Sequence, residues 1–186
     1  MQEEQLTKKE IGFPWLSLTV YVVVAIAAIA FDVFTTDLTE LSELGPEISA
    51  NPEAVMVVGA LIGGLVGVIG GFIGIAIQYA FIKFPTQWIS KEQNVYKNEI
   101  WEALFYSSAI SIVLSTLMTY FNFQGNILVT LITSLITVAA FLLIYFSGSE
   151  KEPQIKKAII IVQVIWAVVG FIFGLFSIGL MNNLPV

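Results

Sequence analysis

Five stretches of the chain run for about 20 residues or more with almost no charge: Trp15 to Phe34, Ala54 to Ile82, Trp101 to Phe121, Ile127 to Phe146 and Ala158 to Met181. A bilayer core about 30 Å thick is crossed by about 20 helical residues. These runs exceed the length of a barrel strand, and an open strand would leave backbone amides unpaired in lipid. The pattern therefore predicts an all-α integral membrane protein, a bundle of five transmembrane helices over residues 15–181. A 14-residue tail precedes it and residues 182–186 follow.

The polar positions between the runs are sorted by sign. Lys8 and Lys9 precede the first run, Lys83, Lys91 and Lys97 lie between the second and third, and Lys151, Lys156 and Lys157 lie between the fourth and fifth. The opposite side receives Asp37, Glu40, Glu43, Glu47 and Glu53, the turn FNFQGN and the tail NNLPV. The positive-inside rule then predicts a cytoplasmic N-terminus and a C-terminus outside. The small residues of VVVAIAAIA stand at signal-peptide spacing, but the leader MQEEQLTKKE has three glutamates against two lysines. The first run is accordingly expected to stay as a span.

Residues 84–100, FPTQWISKEQNVYKNEI, alternate apolar and polar positions. Two readings fit: a short cytoplasmic interfacial segment with Phe84, Trp88, Ile89, Val95, Tyr96 and Ile100 toward lipid, or a helical extension of a neighbouring span. Pro85 favours a break just after the second span, because the residue before a proline avoids helical angles.

Composition narrows the chemistry. The chain is 57% hydrophobic and 12% charged, with no cysteine, no histidine and lysine as its sole basic residue. Thiol chemistry, imidazole catalysis and the usual zinc sites are excluded, and no catalytic set, cofactor motif or metal-ligand spacing stands out. The acidic loop lacks calcium-loop spacing. Nothing points to nucleic acid.

The stretch GALIGGLVGVIGGFIG, residues 59–74, holds seven glycines. It matches no phosphate-loop pattern and sits at membrane depth. Gly59, Gly63, Gly67 and Gly71 recur every fourth residue and predict a groove that another helix can approach closely. The partner expected is the fifth span, where Gly170, Gly174 and Ser177 offer a small surface; a second copy of the chain, or a helix that moves or disturbs lipid, are the alternatives.

Ionisable residues inside a membrane point to function, and few occur here. Asp32, in the last turns of the first span, is the one candidate functional polar residue, with solvation at the outer interface as its other reading. Lys83 can snorkel, and Glu99 and Glu102 suit the start of a helix. Gln78 and Gln163 are expected to hydrogen-bond across helices. Ser107, Ser108, Ser111, Ser115, Thr116 and Thr119 line the third span, and Thr130, Thr133, Ser134 and Thr137 the fourth. A serine nucleophile needs a base and there is no histidine; a serine–lysine dyad is chemically possible, but every lysine lies near the cytoplasmic rim or beyond it, so these hydroxyls are expected to bond their own backbone or a neighbouring helix.

The five spans, the glycine-rich second span and the stretch QNVYKNEIWEALFYSSAIS resemble the Yip (Ypt-interacting protein) family, particularly its bacterial members, through Tyr96, Trp101, Ala103, Ser107 and Ser108. The glycine pair that usually precedes that stretch and an early proline in the third span are missing. The resemblance implies a non-enzymatic accessory or scaffold protein of the bacterial inner membrane, acting in envelope stress protection or with a membrane-protein partner such as an ABC exporter. The residues alone are compatible with a scaffold, with self-association, and with a different class: a small transporter or channel subunit with a polar path between the third and fourth spans.

Overall fold

The computed structural model describes residues 12–35, 52–123 and 125–182, and the side chains among them except those of 52–56 and 173–182. Within these residues the regular structure is five helices: α1 (Trp15–Thr35), α2 (Pro52–Ser90), α3 (Lys97–Tyr120), α4 (Ile127–Ser147) and α5 (Pro153–Asn182). All five are long and apolar enough to cross a membrane, as the sequence predicts. Residues 1–11, 36–51 and 183–186, which hold Lys8, Lys9 and most of the acidic loop, and the side chains of Gly174 and Ser177 lie outside the described residues.

The helices close a ring in the order α1, α3, α4, α5, α2 and back to α1, with α2 also touching α3. One end of the bundle carries the lysine-bearing connections. Tyr145 donates from its hydroxyl to the carbonyl of Val95 (3.0 Å), and Tyr96 to that of Glu150 (3.0 Å), so the α2–α3 and α4–α5 connections lie side by side. Phe13 meets Trp101 at a tilt and Phe105 edge-on at this end, while Phe31 meets Tyr120 edge-on at the other. There the α3–α4 hairpin turns through Asn122 (φ 55°) and Gly125 (φ 78°), and Asn126 caps α4 by accepting from the amides of Leu128 and Val129.

The core is concentrated in the lysine-bearing half. Ile82, Ile100, Leu104, Phe105, Phe141, Tyr145, Ile155 and Ile159 are sealed from solvent and lipid. Trp101 stacks on Tyr79 (ring centroids 4.4 Å apart) and on Phe105 (5.5 Å), and Phe72 stacks on both Trp101 and Phe105, which ties α2 to α3. Toward the hairpin end the helices expose apolar side chains, as expected of surfaces that meet lipid.

Of the two readings of residues 84–100, the protein takes the helical extension. α2 runs unbroken through Pro85 for 39 residues, about 58 Å at 1.5 Å per residue, so it must tilt or project beyond the membrane. The break expected at Pro85 does not occur; the turn after it is held by packing, with Thr86 and Ser90 buried and the Ser90 hydroxyl donating to the carbonyl of Thr86 (2.7 Å). A proline inside a membrane helix is tolerated where neighbours cover the backbone groups it frees. The helix stops instead at Lys91, whose φ of 59° is left-handed. Phe84 and Trp88 are exposed, but Val95 and Ile100, expected toward lipid, are core residues. The fifth helix likewise begins five residues before the predicted Ala158, and the third four residues before Trp101.

Candidate functional site

Each predicted feature has a definite place. Asp32 is exposed in the last turn of α1. Of the glycine ladder, Gly71 is in contact: a Cβ there would overlap the Tyr21 hydroxyl of α1. At Gly59, Gly63 and Gly67 an added Cβ would meet nothing within 4 Å, so the groove expected to hold α5 is open in the single chain. The face that does pack on α1 is one residue further on. Ala60, Gly64 and Val68 are half-buried between exposed neighbours, and Gly64 sits against Ile29, whose side chain would be 3.2 Å from a Cβ there. A one-residue offset is a rotation of about 100° around the helix. Replacing Gly63 and Gly67 together with leucine should therefore leave the fold unchanged within about 0.5 kcal/mol, whereas Gly71→Leu should displace Tyr21 and lower stability measurably. Unfolding titrations in mixed micelles compare the two.

Between α2, α3, α4 and α5 lies a cavity of about 420 Å³. Its wall combines Ser107, Ser108, Ser111 and Ser115 from α3 with Thr130, Thr133, Ser134 and Thr137 from α4; Thr116 and Thr119 of the predicted α3 row are not part of it. Gln78 of α2 and Gln163 of α5 join them, with apolar surface from Met118, Val138, Phe141, Trp166, Ala167 and Gly170. Two rows of small hydroxyl residues at helical spacing leave the space, because a serine or threonine fills far less volume than the leucines and phenylalanines of the opposite faces. Phe141 stands between this cavity and the sealed core, so the space belongs to the hairpin-end half of the bundle.

The hydroxyls of five lining residues donate to their own helices. Ser107 donates to the carbonyl of Leu104 (3.2 Å), Thr130 to that of Asn126 (3.0 Å), Thr133 and Ser134 to that of Thr130 (2.9 and 2.8 Å), and Thr137 to that of Thr133 (2.9 Å). Gln163 departs from expectation. It is 1% exposed and its amide nitrogen has no hydrogen-bond partner, so it does not bridge helices. A buried, unpartnered N–H costs about 1–3 kcal/mol. No aspartate, glutamate or lysine lines the cavity, and among the described residues no three metal-binding side chains cluster.

A second polar centre escaped the sequence reading. Glu99, in the first turn of α3, forms a buried ion pair with Lys151 of the α4–α5 connection (2.5 Å). The Lys151 ammonium also donates to the carbonyl of Ser149 (2.9 Å) and lies 4.3 Å from the Tyr145 ring centre and 5.1 Å from that of Tyr96. The amide of Ser149 donates to the other Glu99 oxygen (3.3 Å). Gly148 makes the approach possible, since a Cβ there would overlap the Glu99 carboxylate. Every group in this knot has a partner inside it, so its role is to clamp two connections together.

Comparison with protein-family models, curated proteins and solved structures finds no match for this chain.

Proposed function

We propose that this multi-pass membrane protein is a small-solute carrier or transporter subunit that takes uncharged polar molecules into the hydroxyl-lined cavity. One observation carries the reading: serines of α3 and serine and threonines of α4 line a common space at membrane depth, with Gln78 and Gln163 in its wall. A chain with no solute to accommodate would gain by filling that space, because close packing and dispersion hold membrane helices together. Toward the lysine-bearing end the cavity's wall is Phe141, which is buried in the core. A carrier exposes its site to one side at a time, and this arrangement corresponds to access from the hairpin end. With the lysines cytoplasmic, that end is the outer face of a bacterial inner membrane.

The natural absence of cysteine gives a clean test. Ser111→Cys lines the cavity, and Leu135→Cys lies on the exposed face of α4. In whole cells, a membrane-impermeant thiol reagent should label the first and spare the second. Equal, low reactivity of the two would remove the proposal's support.

A specific observation favours a second reading. The open face at Gly59, Gly63 and Gly67 is suited to another membrane helix, in keeping with the Yip-like accessory role, with an ABC exporter or another copy as the partner. Since leucine at Gly63 and Gly67 should spare the fold, loss of a co-purifying partner in that double variant would favour this reading over the first. Retention of the partner would count against it.

A further inference from the structure

At 39 residues α2 outruns the bilayer core, and the character of its exposed face decides whether it tilts or projects. Ile69, Ile73, Ile77, Phe81, Phe84 and Trp88 recur at steps of three and four residues, all exposed, so they form one continuous apolar stripe. The stripe passes Pro85 without a break in the helix. Its last members are Phe84, 61% exposed, and Trp88, 83% exposed. A helix end projecting into water would hold both rings there. A tilted helix keeps the stripe on lipid and leaves Trp88 at headgroup depth, where indole rings concentrate.

Lys83 stands beside this stripe. Its ammonium lies 5.6 Å from the centre of the Tyr79 ring and 5.4 Å from that of Phe84, a cation between two aromatic groups. Tyr79 is itself fixed by its stack on Trp101. Lys151 also lies against two rings, but it has the Glu99 carboxylate as its counter-charge. Lys83 is half-buried, and among the described residues no carboxylate or carbonyl partners its ammonium. The cation is built into the protein and its anion is not.

We propose that Lys83 and the adjoining stripe form a binding site for an anionic phospholipid, with the phosphate at the ammonium and an acyl chain along Phe81, Ile77 and Ile73. Charge complementarity selects the headgroup and the stripe selects the chain. A cation beside aromatic rings and without a carboxylate takes an anion, and the apolar surface leading from it into the bilayer takes a hydrocarbon joined to that anion. The lysine stem lies along the apolar surface while its charged end reaches the headgroups. A phosphatidylglycerol headgroup brings no cation of its own, whereas the choline of a zwitterionic lipid sets a second positive charge near the lysine. The site is separate from the cavity and does not depend on the carrier reading.

The test titrates dioleoylphosphatidylglycerol into the full chain in maltoside micelles and follows thermal unfolding. The lipid should raise Tm saturably, and dioleoylphosphatidylcholine should do so only at higher mole fraction. Lys83→Gln should raise the half-effect mole fraction about fivefold, the factor corresponding to one lysine at a membrane surface. Lys83→Arg should keep the wild-type value, because the charge remains. Lys157→Gln, exposed on α5, should change it far less. The depth of the stripe is read separately in nanodiscs, using the natural absence of cysteine. A charged methanethiosulfonate should modify Phe84→Cys at least about tenfold more slowly than Gln93→Cys, which is exposed beyond the end of α2.

Equal losses for Lys83→Gln and Lys157→Gln would overturn the site in favour of a diffuse attraction of the whole lysine-bearing end. Equal effects of the two lipids would remove the part given to charge. Stabilisation by soluble glycerol 3-phosphate as strong as that by the lipid would remove the part given to the stripe. Equal reaction of Phe84→Cys and Gln93→Cys would show that the end of α2 stands in water, and the proposal would fall with it.

Discussion

Lys151→Met should lower the stability of the folded bundle by about 3–5 kcal/mol, the loss typical when one partner of a buried ion pair is removed. The side chains of Lys151 and Glu99 are 0% and 5% exposed, so neither charge has water to fall back on. Methionine keeps much of the lysine stem's volume but leaves the Glu99 carboxylate held by a single amide, that of Ser149. It also removes the cation from between the Tyr145 and Tyr96 rings. The double variant Glu99→Met with Lys151→Met should recover most of the loss, because the desolvated charge disappears along with its partner. Recovery should be incomplete, since the Ser149 amide and the Gly148 backbone are shaped around a carboxylate. Unfolding of the wild type and the three variants in mixed micelles completes the cycle. Equal stability of wild type and Lys151→Met would show that the pair is solvated and the clamp idle.

This ion pair marks where the sequence stops being legible. The five helices were readable because a bilayer demands a fixed length of apolar chain, a requirement each span meets on its own. The sorting of the lysines was readable for the same reason, as it depends only on alternation. Glu99 and Lys151 stand 52 residues apart, each near a helix end where a solvated charge is the normal case, and only the folded connections bring them together. Pro85 misled because a local backbone preference was outweighed by the burial of Thr86 and Ser90 beyond it. In the glycine stretch, Gly63–Gly64 and Gly70–Gly71 put small residues on two neighbouring faces, and spacing could not tell which face meets α1. The cavity was half legible. The hydroxyl rows and their bonds to their own backbones followed from composition and spacing, whereas the approach of Gln163 to them from α5, without a partner, is a product of the ring order of the helices.

The packed half and the open half of the bundle suggest a division of work. In the proposed solute-binding role, residues that close the lysine-bearing end hold the helices in register while the hairpin end adapts, so the core there should carry most of the stability. Phe105 is its centre: fully buried on α3, with Phe13 and Tyr21 of the α1 side and Phe72 of α2 around it, besides Trp101 of its own helix. In water, Phe→Ala in a core costs about 3–5 kcal/mol, part from transferring the ring to an apolar place and part from the hole it leaves. In a bilayer the separated helices already face hydrocarbon, so the transfer contribution falls away and the lost packing remains. Phe105→Ala should therefore cost about 2–3 kcal/mol, the portion due to lost contacts and cavity. Leu135→Ala, on an exposed face that meets lipid in both states, should cost about 0.5 kcal/mol or less. Micelle unfolding titrations separate these values. If Phe105→Ala proves as mild as Leu135→Ala, the aromatic cluster is not what holds α1, α2 and α3 together, and the rigid half must be sought in the Glu99–Lys151 clamp alone.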